Sequence, residues 1–219
     1  MQYIVNVFRE FFEEITNLKI GTISILGILV VLSVAFILLK KMKKLQTNNT
    51  RVIVYGGLCI ALSFVLSYVR LYHWPQGGSV TLGSMLPMFF FAVAFGPVAG
   101  MIAGVAYGFL QLIQDPFVVH WAQLFLDYPL AFGAMGLAGL YRRNLSVGVL
   151  VGGTGRFIMH FLSGFIFFGS YAPEGMNVIL YSLMVNGMVI GTDVLICVVI
   201  SLLPGFNHAV ATVRQTSMI

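Results

Sequence analysis

Apolar runs, most of them long enough to cross a bilayer and one of only twelve residues, recur along the chain, and the intervals between them are too short to build anything else. They fall near residues 20–39, 52–71, 84–95, 98–113, 119–141, 145–168 and 178–203. Roughly twenty apolar residues in a helix match the ~30 Å hydrocarbon core of a bilayer. Charge agrees with this reading. Only 12 Lys and Arg and 7 Asp and Glu occur in 219 residues, or 9% charged, where an ordinary soluble domain carries about 25%. A soluble enzyme, a disordered chain and a disulfide scaffold are excluded, and no length remains for a separate soluble domain. The expectation is an all-α integral membrane protein. Its net charge of +5 then reads as the usual cytoplasmic excess of Lys and Arg, not as nucleic-acid binding. Cys59 and Cys197 sit inside apolar runs as small packing residues. No CxxC or HExxH spacing occurs, so neither a metal nor a cofactor is expected.

Positive charge sets the orientation. Lys40, Lys41, Lys43, Lys44 and Arg51 follow the first run and form the strongest basic cluster, which places that linker in the cytoplasm. The first run has no small-residue cleavage site and follows an acidic, amphipathic stretch, so it reads as a retained helix and not a signal peptide. Arg142 and Arg143 mark a second cytoplasmic loop, and the carboxyl end also lies inside. Three loops then face outward: the Gly-rich stretch from Trp74 to Thr81, Gln114-Asp115-Pro116, and Gly169 to Gly175. The Lys-rich linker divides the chain into residues 1–50, with one extra transmembrane helix, and a six-span working domain over residues 51–219. No convincing internal repeat is present, which argues against an inverted-repeat carrier.

Ionisable side chains inside apolar spans are costly, and each is a functional candidate by default. Asp127, Arg156, His160 and Asp193 stand out, with Asn186 as a neutral companion. At about 1.5 Å per helical residue, Asp127, His160 and Asn186 come to a similar depth in the outer half of the membrane. Arg156, His160, Gly164 and Phe168 recur at four-residue spacing on neighbouring parts of one helix face, and Gly164 leaves a gap beside the His. Asn186 and Asp193 are nearly aligned on the last span. Trp74, Phe117, Trp121, Tyr128, Phe168, Tyr171 and Tyr181 surround the outer level. Each has a structural alternative. Arg156 has two carboxylates open to it, Asp127 and Asp193. His160 fits a satisfied core histidine. Trp74, Trp121 and Tyr171 fit an interfacial belt, and Trp121 fits the belt better than a ligand cage. The shared depth is the stronger argument. A carboxylate, aromatic faces and a few oriented hydrogen-bonding groups suit a flat, cationic, nitrogen-rich ligand.

Three stretches carry a family resemblance. They are Trp74-Pro75-Gln76-Gly77-Gly78-Ser79-Val80-Thr81-Leu82 with Ser84-Met85-Leu86-Pro87, then Leu126-Asp127-Tyr128-Pro129-Leu130-Ala131-Phe132, then His160-Phe161, Ser163-Gly164, Gly169-Ser170-Tyr171-Ala172-Pro173, Tyr181-Ser182-Leu183 and Asn186. Over the six-span domain the chain resembles the thiamine-specific substrate-binding (S) components of energy-coupling factor (ECF) transporters. The resemblance implies a six-helix bundle in a prokaryotic cell membrane that captures thiamine from outside. It also implies a transmembrane coupling subunit and two ATPase subunits as partners, with ATP hydrolysis in those partners and none in this chain. The family proposal has the S component topple in the membrane to release the vitamin inside.

Family binding roles transfer to Asp127, Tyr128, His160, Gly164, Tyr181 and Asn186, and more loosely to Trp74 and Phe117. Asp127 stands where the family can have Glu, Phe168 where it can have a stacking Trp, and Arg156 where it can have Lys. The coupling subunit would dock on small residues of the first of the six helices, where Gly57 and Ala61 lie four apart. The extra amino-terminal helix departs from the six-helix plan. Alternatives in the same setting are an S component for another vitamin or a thiamine precursor, and a proton-coupled carrier with Asp127, His160 and Asp193 as its relay. No nucleophile–base motif supports an intramembrane enzyme.

Overall fold

The computed structural model describes residues 50–75 and 77–217. The expected helix near residues 20–39 and its Lys-rich linker lie outside them. The described elements are α1 (Thr50–Leu66), a hairpin of β1 (Arg70–His73) and β2 (Ser79–Thr81), α2 (Leu86–Phe95), α3 (Pro97–Gln114), α4 (121–140), α5 (Leu145–Phe167), α6 (Val178–Ser201) and α7 (Pro204–Ser217). The all-α expectation holds, with the antiparallel hairpin added between α1 and α2.

Local chemistry explains the helix boundaries. Asn144 and Asn177 cap α5 and α6 by accepting from the first free N–H groups, at Val147 and at Ile179 and Leu180. His120 does the same for α4 at Ala122. Between α2 and α3, Gly96 takes φ +99° and Pro97 opens the next helix. That pair ends one helix and starts another with no intervening loop.

Two of the apolar runs differ from simple spans. α2 has 10 residues and eight are buried. At about 1.5 Å per residue it covers half a bilayer, so it is an enclosed central helix. It anchors the main core, with Met88, Phe89 and Val93 packed against Met135, Leu145 and Val149. Its carboxyl end is held by two cations: Arg142 donates to Val93 O and Ala94 O, and Arg214 donates to Val93 O. Cations at this end offset the helix dipole.

α4 is the other exception. It starts as an α-helix, widens to a π-helix over Leu126–Leu130, and tightens to a 3-10 turn over Met135–Leu140. Pro129 lies inside the wide segment; its missing N–H removes one i→i−4 bond, and the widened turn absorbs the defect. α6 contains a second π segment, Gly187–Gly191, with no proline to announce it.

α3, α5 and α6 are long and apolar enough to cross a membrane, and α1 is a shorter apolar helix. Their outer faces carry exposed large apolar residues such as Ile102, Ile113, Leu150, Leu195 and Val199, as a lipid-facing surface requires.

Candidate functional site

A cavity, open at its mouth, lies beneath the hairpin, between α3, α4, α5 and α6. All ten residues singled out as ligand candidates border it: Trp74, Phe117, Asp127, Tyr128, Arg156, His160, Gly164, Phe168, Tyr181 and Asn186. Both π segments contribute to its lining. Asp127 and Tyr128 are on the first, and Asn186 directly precedes the second. Such bulges re-aim side chains that a regular helix would point elsewhere.

The central contact joins α4 to α5. His160 Nδ1 lies 3.1 Å from Asp127 Oδ1, and the two side chains are 18% and 13% exposed. Gln123 donates to the other carboxylate oxygen, Oδ2, at 2.6 Å. Neither structural ion pair open to Arg156 in the sequence is made: among the described residues no carboxylate lies within 4.0 Å of its guanidinium. Arg156 instead lies over the Phe132 ring, 4.2 Å from the centroid, with Nε 3.5 Å from His160 Nε2. Asp193 is 3% exposed and binds the hairpin: its Oδ1 accepts from Thr81 Oγ1 at 2.9 Å and from Thr81 N–H at 3.3 Å. Ser84 Oγ lies 2.7 Å from the same Thr81 hydroxyl. Asp193 therefore fastens the cover of the cavity to α6.

On the α5–α6 side, Asn186 Nδ2 donates to His160 O at 3.2 Å and to Ser182 O at 2.9 Å, and Ser182 donates to Phe161 O at 2.7 Å. The gap expected at Gly164 is filled from α6. A Cβ there would stand 2.4 Å from Ser182 Oγ and 3.0 Å from Asn186 Nδ2. Gly164 borders the cavity and also lets the two helices close on each other.

Aromatic rings form the mouth. Phe117 and Phe168 stack at 5.9 Å with 23° between planes, and Tyr171 meets both, at 6.5 and 5.8 Å. The hairpin turn rests directly on them: Gly77 takes φ +85°, and a Cβ there would lie 2.9 Å from Phe117 Cβ. Arg70 on β1 pairs with Asp115 after α3 at 2.9 Å, closing the same edge. Trp121 is 53% exposed, as a belt residue would be.

The Tyr128 hydroxyl is committed to the protein. It donates to Asp115 O at 2.9 Å and accepts from Phe117 N–H at 2.8 Å, pinning the α3–α4 loop. Tyr128→Phe strands both backbone groups. It is expected to cost about 1–2 kcal/mol and to lower the melting temperature by a few degrees in detergent. An unchanged melt would show that the hydroxyl is free for a ligand.

Sequence reasoning passed over Gln123, Ser182 and Thr81. Gln123 stands one helical turn before Asp127, so an i,i+4 search could have found it. Ser182 and Thr81 act across the fold and leave no local signal.

The thiamine transporter protein (Thia_YuaJ) family model matches residues 53–212. The chain belongs to the thiamine transporter protein family. Among relatives, the thiamine transporter ThiT of Bacillus subtilis (strain 168) is 35% identical over 143 residues, covering 58% of this chain and 74% of that protein. The thiamine transporter ThiT of Lacticaseibacillus paracasei is 30% identical over 163 residues, covering 65% of this chain and 80% of its own length. The solved structure of ThiT from Listeria monocytogenes superimposes with a TM-score of 0.64 at 23% identity, over 74% of this chain and 96% of that one. That likeness shows a shared fold. Family membership makes this chain a multi-pass membrane component of thiamine transport, and a transporter component in place of an enzyme.

Proposed function

We propose that this chain is the S component of an ECF transporter and that thiamine binds in the cavity beneath the hairpin. The observation that carries the reading is the Asp127–His160 pair within an aromatic-rimmed cavity, in a chain of this family. The carboxylate supplies an anion for a cationic ligand or accepts from its amino group. Trp74, Phe117, Phe168 and Tyr181 offer faces for flat rings. His160, Asn186 and Arg156 add oriented polar groups, and Tyr128 acts through its ring and its hold on the loop.

The cavity lies at the end of the bundle away from Arg142 and Arg214. The excess of basic residues on cytoplasmic loops then makes it an outward-facing site. Residues 51–219 constitute the binding domain, and residues 1–50 are an appendage to it.

A coupling subunit and two ATPases complete the transporter. The coupling subunit docks on α1, where Gly57 and Ala61 are both exposed on the outer face and a Cβ on Gly57 meets nothing within 4 Å. Calorimetric titration of the full-length chain in detergent tests the ligand. Saturable binding at micromolar thiamine is expected, weaker for its isolated pyrimidine and thiazole halves, and no binding at that concentration would sink the reading. Co-purification of the coupling subunit and both ATPases from the native membrane tests the partners.

A further inference from the structure

Gln123 is uncharged and 1% exposed, and its whole amide is in use. Nε2 donates to Asp127 Oδ2 at 2.6 Å and to Phe117 O at 3.0 Å, while Oε1 accepts from Val119 N–H at 3.1 Å. The orientation of the amide follows from its partners. Turned over, its oxygen would face a carboxylate and a carbonyl, and its N–H groups would face another N–H.

One oxygen of the Asp127 carboxylate, Oδ2, is hydrogen-bonded by Gln123 from the preceding turn of α4; the other, Oδ1, lies 3.1 Å from His160 Nδ1 on α5 but accepts no hydrogen bond from the described residues. The carboxylate sits on the π segment, where the regular helical direction of side chains is lost. Among the staggered rotamers open to an Asp there, its contacts select the one adopted. The same glutamine ties that carboxylate to Phe117, the ring against which both Phe168 and the hairpin turn pack.

We propose that Gln123 is a positioning residue for ligand binding: it aims the Asp127 carboxylate into the cavity and locks it to the aromatic mouth. This rests on Asp127 being the anionic partner of thiamine, as proposed above. Gln123 itself borders the cavity, but both of its N–H donors are spent on Asp127 and Phe117, and its oxygen already accepts from Val119. It acts through Asp127. A charge-assisted hydrogen bond is about twice as strong as a neutral one, so the Asp127 contact is the strongest of the three.

The test uses the full-length chain in detergent with thiamine as the probe. Gln123→Met keeps the length and volume but removes all three bonds. Gln123→Glu keeps the length and the acceptor for Val119 N–H, and puts an acceptor where the donor to Asp127 stood. Either change is expected to weaken thiamine binding by about tenfold or more. In an Asp127→Ala background, titrated to millimolar thiamine, either change is expected to cost less than about threefold, because its target is gone.

Equal losses in both backgrounds would reduce Gln123 to a loop brace and overturn the proposal. So would Gln123→Glu binding as the wild type does. If Gln123→Met does not fold, Gln123→Glu decides alone. Failure of the wild-type chain to bind thiamine would instead overturn the function proposed above.

Discussion

Asp127→Ala is expected to weaken thiamine binding by at least about 100-fold, or about 3 kcal/mol. The carboxylate is 13% exposed and sits between a histidine and a buried glutamine. Water does little to screen it, so its attraction for a positive or amino-bearing ligand is far stronger than it would be at a surface. Truncation leaves that face of the ligand without an anion, and leaves His160 and Gln123 without their shared partner. Titration calorimetry reads the loss, with circular dichroism to show that the helices persist. A dissociation constant within threefold of wild type would remove Asp127 from the site and with it the main support for the proposed function.

The largest effect on stability is expected at the crossing of α3 and α4. A Cβ on Gly136 would stand 2.2 Å from Met101 N and 2.6 Å from Gly100 C. Both obstacles are backbone, so no rotamer change can relieve them. Gly136→Val must push α3 away from α4, and α3 carries Tyr107 and Gln111 of the cavity wall. The cost is about 3 kcal/mol, equivalent to a fall in melting temperature of about 6–12 °C for a domain of this size. Gly57→Ala is the control. Its added methyl meets nothing within 4 Å, and its melt should match wild type. A Gly136→Val melt equal to that of Gly57→Ala would mean the helices do not cross this closely.

The amino-acid order alone carries the membrane class, the loops that face each side, and the short set of polar residues at depth. These depend on local quantities: the length of an apolar run, the sign of the charges that end it, and residue count as a measure of height. Height singled out Asp127, His160 and Asn186, the family resemblance supplied most of the other site candidates, and all of them border the cavity.

Height says nothing of rotation about a helix axis or of which helix stands next to which. That is why the partner of each charge was illegible. Asp127 meets His160 and Arg156 lies on Phe132, contacts made across different helices. Asp193 reaches Thr81 across 112 residues of chain, a contact that exists only once the hairpin has folded over α6. The gap expected at Gly164 is occupied by Ser182 and Asn186 from another helix. The run near residues 84–95 looks like a short span, but helices on all sides bury it, so packing makes it a core. Hydrophobicity is a property of each residue, whereas pairing is a property of the assembled helices, and only their close packing settles it.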